Sequence, residues 1–153
     1  MPEAYRVVKA AYAATAFDGE GARRSGGRFN SPGTRVVYCS NSLALAVLEV
    51  AVHLPSYRGL RGRVSFQLSF PDRIVEKLEE ADLPKDWRST PPSRSTQNVG
   101  DIWIAEARSA ILSVPSVLLP AARNYILNPL HPDFAEITIA KPEPIPIDPR
   151  LEK

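Results

Sequence analysis

The chain has 153 residues, of which 15 are proline, and its charged side chains sum to a net charge of +2. The length suits one domain over residues 1–153 with a core of ordinary size, and one cysteine with two histidines excludes an internal disulfide and a four-ligand structural zinc site. The N-terminus lacks a signal-peptide pattern and no apolar run approaches the roughly 20 residues of a membrane span, so we expect a cytoplasmic protein without membrane contact.

The first half of the chain predicts three strands and one helix. A short strand over 5–8 precedes a glycine-rich stretch, and a β-branched strand over 35–39 follows a Pro-Gly turn. The segment 43–54 (LALAVLEVAVHL) predicts a helix that ends before Pro55. Its apolar residues lie nearly all round, so we expect this helix to be buried. Alternating apolar and polar residues over 64–70 predict a half-exposed strand.

The second half predicts two helices and three short strands. Charges favour a short acidic surface helix over 74–81, and a longer helix is predicted over 99–112. The strands are predicted over 116–119, 125–127 and 137–140. Proline alternates with other residues over 142–153, which we expect to form an extended tail. Together the elements indicate an α+β domain of short strands and two main helices.

The charge of the chain is unevenly distributed. Between Arg23 and Arg63 stand seven arginines and one acidic residue, Glu49. Guanidinium groups bind phosphate through two parallel hydrogen bonds, so this segment favours an anionic ligand. A solvated basic surface is the alternative. Nucleic-acid binding is a third interpretation, although the segment has no recognition-helix pattern and no block of lysines.

Glu49 is the first candidate functional residue, because it is the one acid in this segment and lies in an apolar helix. It shares a helix face with Leu45 and Val52, so its carboxylate has apolar neighbours and needs a partner if it is buried. One interpretation is a core ion pair with an arginine or with His53. The other is a ligand site in which arginines bind phosphates and Glu49 faces a centre that becomes cationic.

The step Gly26-Gly27-Arg28 is the second candidate. Two glycines let the backbone approach a ligand and direct the Arg28 guanidinium, although for an isolated step of this kind an ordinary glycine-rich turn with a solvated arginine is the better explanation. Other catalytic patterns are missing. The sequence has no dinucleotide-binding fingerprint, no P-loop and no hydrolase elbow around Ser116, and it offers Glu49 no second carboxylate for a glycosidase pair.

An ordered series of motifs resembles the RES-domain toxins of bacterial toxin–antitoxin pairs, a family named for its arginine, glutamate and serine. The series spans most of the chain and consists of GA at 21–22, GGRFN at 26–30, PG at 32–33, VY at 37–38, LA at 45–46 leading to Glu49, GD and W within 100–103, VPS at 114–116, Asn124, and NPLHP at 128–132. Phe29 departs from the tryptophan usual after the family's arginine, and Ala122 from the acidic residue of many members.

The resemblance implies a compact α+β fold similar to the diphtheria-toxin-type ADP-ribosyltransferases, with NAD consumed as substrate and no cofactor or metal. It implies that Arg28, Tyr38 and Glu49 are catalytic. Arg28 would bind the pyrophosphate and Tyr38 the nicotinamide ring, while Glu49 would stabilise the positive charge that develops on the ribose. Ser116 and Asn128 would bind substrate through neutral hydrogen bonds.

The implied function is that of a toxin that cleaves the nicotinamide–ribose bond, with water or phosphate as acceptor, depleting NAD and arresting growth. Transfer of ADP-ribose to a protein target is the enzymatic alternative, and a non-catalytic arginine-rich binding module is the other. The implied partner is an Xre-type helix-turn-helix antitoxin whose C-terminal part covers the active site. Nucleic acid would be contacted only through that antitoxin, and a homodimer is left open.

Overall fold

One mixed sheet of eight strands forms the centre of the fold in the computed structural model, which describes the backbone of residues 1–152 and the side chains of residues 1–151. The strand order is β4-β5-β6-β2-β1-β3-β7, with β8 also paired to β3, and only β4 and β5 run parallel within this part of the chain. The strands are β1 (Glu3–Lys9), β2 (Val37–Ser40), β3 (Arg63–Ser69), β4 (Val75–Lys77), β5 (Ile111–Pro115), β6 (Arg123–Leu127), β7 (Thr138–Ile139) and β8 (Glu143–Pro144).

The α-helices of the described residues are α1 (Glu20–Ser25), α2 (Leu43–Ala51) and α3 (Arg94–Ala105). A serine caps each of the two longer helices: the Ser42 hydroxyl accepts the Leu45 N–H at 3.1 Å, and the Ser93 hydroxyl accepts the Thr96 N–H at 3.3 Å. The predicted α+β domain with two main helices is therefore confirmed. None of the helices in residues 1–152 has the length and apolar character needed to cross a bilayer.

Side chains alternate between two apolar clusters on opposite faces of the sheet. Val37 of β2 lies opposite Leu127 of β6, and both belong to the first cluster. The next pair along the strands, Tyr38 and Ile126, belongs to the second cluster, which is built around the fully buried Trp103 of α3. The central strands are therefore covered on both faces, as their apolar composition requires.

One predicted helix is a strand in the structure, and another predicted helix has the wrong bounds. The acidic segment 74–81 contains β4 instead of a helix, and β4 pairs with β5. The helix predicted over 99–112 begins at Arg94 and ends at Ala105, so its last predicted residues enter β5. Every residue of β5 is buried, and a short, continuously apolar strand resembles a buried helix in sequence.

The strand predicted over 116–119 is wrong, because β5 already ends at Pro115 and residues 116–119 form no strand. Two further predictions hold only in part. The α2 helix buries Leu45, whereas Leu48 and Val52 are 43% and 55% exposed, so it is not buried on all sides. The tail over 142–153 pairs through β8 with β3 and then forms a 3-10 turn over Pro149–Glu152, and Lys153 lies outside the described residues.

Helix α3 packs directly onto the glycine-rich segment 26–31. At Gly100 the helix backbone comes so close to Phe29 that a Cβ atom would stand 1.7 Å from the Phe29 carbonyl oxygen. At the next residue of the helix, the Asp101 carboxylate accepts hydrogen bonds from the Ser31 N–H at 3.0 Å and from the Ser31 hydroxyl at 2.5 Å. The helix therefore holds the backbone that directly follows Arg28.

We expect Gly100→Ala to lower the free energy of unfolding by about 3 kcal/mol or more, because the new methyl group collides with backbone that cannot rotate away. Denaturant unfolding of the purified protein measures this. Gly21→Ala is the matched control, since Gly21 is exposed on α1 and a Cβ there has nothing within 4 Å. Equal stability of the two variants would contradict the close packing of α3.

Candidate active site

The Glu49 carboxylate, on α2, is held by two neutral hydrogen-bond donors. Its Oε1 atom accepts the Ser116 hydroxyl hydrogen at 2.8 Å and a hydrogen of the Asn124 side-chain amide, also at 2.8 Å. His53 is exposed, and no arginine forms an ion pair with Glu49 among the described residues. The core ion pair that the sequence allowed is therefore not formed, and the charge of the carboxylate is left without a neutralising cation in contact.

Both donors have their own orientation fixed by other groups. The Ser116 oxygen, buried just after β5, accepts the N–H groups of Leu118 and Leu119 at 3.1 and 3.4 Å, which directs its hydrogen to Glu49. Since a carboxylate only accepts, Asn124 must turn its amide nitrogen toward Glu49. Both donors bind Oε1, so Oε2 carries no hydrogen bond to any residue that the structure describes.

Arg28 is anchored by backbone carbonyls, with no carboxylate in contact. One terminal nitrogen donates to the carbonyl oxygens of Trp87 at 2.9 Å and Ser89 at 2.7 Å, and the other lies 3.4 Å from the Thr90 hydroxyl oxygen. Burial lowers the pKa of Arg28, while the negative charge of Glu49 opposes that shift, so the two charges interact. The Nε atom of the guanidinium donates no hydrogen bond to any described residue, so it can donate one to an anion.

Tyr38 connects the strand β2 to the segment that carries Arg28. Its hydroxyl donates to the Asn30 side-chain oxygen at 2.6 Å and accepts the Phe29 N–H at 3.1 Å. Burial raises the pKa of Tyr38 above its ordinary value. The contact explains the glycine before Arg28, because a Cβ at Gly27 would stand 2.7 Å from the Tyr38 hydroxyl oxygen.

Three of the seven arginines are already paired with one acidic residue. Arg23, Arg24 and Arg35 all form ion pairs with Glu20, which precedes the arginine-rich segment. The hydrogen bond from Arg23, together with the other two arginines, lowers the pKa of Glu20 to about 2. The predicted basic surface is therefore partly neutralised at this end, which disfavours the nucleic-acid interpretation.

Four of the five predicted site residues lie close together: Arg28, Tyr38, Glu49 and Ser116. Asn128 does not join them. It follows β6 at the end opposite to Asn124, about 13 Å away at the rise of a strand, and its side-chain oxygen accepts the Leu130 N–H in a turn.

Asn124 was missed as a site residue, although it belongs to the motif series. Its place in the site follows from the register of β2 and β6, which sets Asn124 opposite Ser40 and cannot be read from the sequence. Cys39, next to Ser40 on β2, is a buried core residue, and burial raises its pKa to about 12.

An apolar groove lies beside the two segments that carry Glu49 and Ser116. It has a volume of about 300 Å³ and is lined by Leu48, Ala51, Val52, Tyr57, Leu118 and Leu119. A cavity of about 340 Å³ lies on the opposite face of the sheet, around Ser113, Arg123 and Tyr125, and none of the predicted site residues lines it.

Relatives of known name are similar in sequence to this chain over nearly its whole length. A protein named Toxin Res from Yersinia enterocolitica is 36% identical over 149 residues, which cover 97% of this chain and 98% of that protein. A protein from a Sphingobium species, named Prs ADP-ribosylating toxin, is 37% identical over 143 residues, which cover 92% of this chain and 89% of that protein.

The fold is similar to that of a chain in the crystal structure of the M. tuberculosis MbcT-MbcA toxin-antitoxin complex. The TM-score is 0.75 at 20% sequence identity, and the match covers 94% of this chain and 83% of that chain. The sequence matches the RES domain over residues 3–148. With the match to the RES domain and the full-length relatives, the resemblance seen in the motifs is confirmed: the chain belongs to the RES domain family.

Proposed function

We propose that this protein is the toxin of a toxin–antitoxin pair and that it consumes NAD by cleaving the bond between nicotinamide and ribose. The observation that carries the proposal is the Glu49 carboxylate, which is held through one oxygen by neutral donors, has its second oxygen unoccupied and lies within electrostatic range of Arg28. The names of the relatives, Toxin Res and Prs ADP-ribosylating toxin, support the biological side of the proposal.

The residues fit the chemistry of this bond. Nicotinamide leaves NAD as a neutral molecule, so no general acid is needed, and the ribose develops positive charge in the transition state. A carboxylate that no cation neutralises stabilises this charge, and preorganised hydrogen bonds remove the cost of orienting it during the reaction. With water as acceptor, NAD gives nicotinamide, ADP-ribose and a proton.

Arg28 is proposed to bind the pyrophosphate of NAD through its Nε–H group. The carbonyls of Trp87 and Ser89 hold the guanidinium without neutralising it, so its charge is available to the substrate. Tyr38 is proposed to present its ring edge to the nicotinamide while its hydroxyl holds the Arg28 segment. Ser116 is proposed to act through Glu49, and Asn128 stays a predicted substrate contact.

The acceptor of the ADP-ribose is water or phosphate in the leading proposal and a protein in the second one. The observation that favours a protein acceptor is the name of the Sphingobium relative, Prs ADP-ribosylating toxin. Both routes release nicotinamide and use the same donor site. NAD labelled in the adenosine part separates them, because the label ends in free ADP-ribose or its phosphate in one case and on a protein in the other.

Glu49→Gln is expected to slow nicotinamide release by about 100-fold or more, because it removes the stabilising charge. The side chain keeps its size and an oxygen that accepts from Ser116 and Asn124. The measurement is chromatography of nicotinamide from NAD, with purified protein alone and with cell extract added as a source of acceptors.

The control for this variant is Glu143→Gln, which changes an exposed carboxylate on β8 and should leave the rate unchanged. Expression in a bacterial host should arrest growth for wild type and Glu143→Gln and not for Glu49→Gln. If the wild-type protein releases no nicotinamide under either condition and Glu49→Ala is as toxic as wild type, the NAD proposal is wrong.

Arg28→Lys is expected to lower kcat/KM for NAD by about 10- to 100-fold, because an ammonium group cannot bind two carbonyls and an anion in the same fork geometry. Arg24→Lys is the matched control, since Arg24 is exposed and its polar interactions with the described residues are with Glu20 alone. Steady-state kinetics with NAD measure both variants. A similar small effect of the two substitutions would exclude Arg28 from the substrate site.

The partner is proposed to be a helix-turn-helix antitoxin that covers the apolar groove next to Glu49. Four large apolar side chains of the groove are exposed: Leu48, Val52, Tyr57 and Leu119. Clusters of exposed apolar side chains commonly mark a surface that binds a partner protein. Support for an antitoxin comes from the similar fold of a chain in the MbcT-MbcA toxin-antitoxin complex.

Co-expression of the neighbouring reading frame, if it encodes such an antitoxin, should restore growth. Tyr57→Asp should weaken this protection, because it places a charge in the apolar groove, while nicotinamide release by the purified variant stays near the wild-type rate. Growth assays with and without the partner measure the protection. Full protection of the Tyr57→Asp variant would show that the partner binds elsewhere.

A further inference from the structure

Ser40, the last residue of β2, has a contact that the proposed mechanism does not yet use. It lies directly opposite Asn124 in the register of β2 and β6, where side chains of adjacent strands stand about 5 Å apart. Its hydroxyl donates to the Asn124 side-chain oxygen at 2.7 Å, and the residue is only 3% exposed. The Asn124 amide is therefore held at both ends, by Ser40 at the oxygen and by Glu49 at the nitrogen.

Both contacts are needed to keep this amide in one place. The Asn124 oxygen has no other hydrogen-bond donor among the described residues, so loss of the Ser40 hydroxyl leaves it unsatisfied beside a buried strand end. The amide would then rotate toward another donor or toward water. Rotation would remove one of the two hydrogen bonds that orient the Glu49 carboxylate.

The strand β2 also links Ser40 to the part of the site that contains Tyr38 and Arg28. Ser40 and Tyr38 are two residues apart, so they project from the same face of the sheet about 7 Å from each other. Tyr38 holds the segment of Arg28, and its carbonyl oxygen accepts a hydrogen bond from the Arg6 guanidinium at 2.9 Å. One short strand therefore supports the anion-binding arginine through Tyr38 and the carboxylate through Ser40.

We propose that Ser40 is a positioning residue of the active site: it orients the Asn124 amide, which in turn orients Glu49 for the reaction. The inference deepens the proposed function and rests on it for its catalytic consequence. The orientation of Asn124 by Ser40 is a property of the protein alone and can be measured without substrate.

Ser40→Ala is expected to lower kcat for nicotinamide release by about tenfold, with KM for NAD changed less than about threefold, because the carboxylate acts in the transition state. Ser40→Thr keeps the hydroxyl on a residue suited to strands and should restore most of the rate. Ser113→Ala is the matched control. It removes an equally buried, hydrogen-bonded serine hydroxyl from β5 on the opposite face and should leave kcat unchanged.

A double-mutant cycle tests whether Ser40 acts through Asn124. Asn124→Ala should lower kcat at least as much as Ser40→Ala, and adding Ser40→Ala to Asn124→Ala should cause no further loss. An additive loss, or a wild-type kcat of Ser40→Ala, overturns the inference. If Ser40→Ala does not fold, Ser40→Cys keeps the volume with a weak donor and should show the same tenfold loss.

A substrate-free measurement separates failure of this inference from failure of the proposed function. The side-chain amide signals of Asn124, assigned by their absence in Asn124→Asp, should shift and exchange with water faster in Ser40→Ala than in wild type or Ser113→Ala. Unchanged signals overturn the positioning role even if NAD is cleaved. Changed signals support it even if the wild-type protein releases no nicotinamide, in which case the proposed function alone is wrong.

Discussion

The arrangement around Glu49 meets two requirements at once: a partly buried carboxylate needs hydrogen-bond donors, and the proposed reaction needs its negative charge to stay unneutralised. An arginine in direct contact would satisfy the carboxylate and also cancel the charge that the proposed reaction needs. Two neutral donors satisfy one oxygen and leave the other one open. The donors come from the ends of β5 and β6, so the geometry of the carboxylate depends on the sheet as a whole.

The cationic half of the site follows the same principle with opposite charge. Backbone carbonyls at Trp87 and Ser89 hold the Arg28 guanidinium through dipoles, so its charge is not cancelled. Those carbonyls lie in the loop before α3, and α3 itself packs on the segment of Arg28 through the contact between Gly100 and Phe29. Three other arginines are paired with Glu20, so the excess of positive charge in the segment does not act as one patch.

Patterns that are local along the chain predicted much of the fold and the site. The alternation over 64–70 correctly indicated β3, and the apolar segment before Pro55 indicated α2, although the helix already ends at Ala51. The helix predicted over 99–112 was extended into β5 because this strand is buried on both faces and has no alternation that separates it from a helix. For the site, the ordered series of motifs predicted four residues that lie close together in the structure: Arg28, Tyr38, Glu49 and Ser116.

The sequence by itself determined the family, the α+β class and the residue types of the site, because these depend on motifs, periodicity and charge that are written along the chain. Only the tertiary structure decided which groups touch. The register of β2 against β6 sets Ser40 opposite Asn124, and the packing of α2 beside the end of β5 gives Glu49 its neutral donors instead of an ion pair. Partners of this kind come from residues 67 and 75 positions apart, and no pattern along the chain encodes such a distance directly.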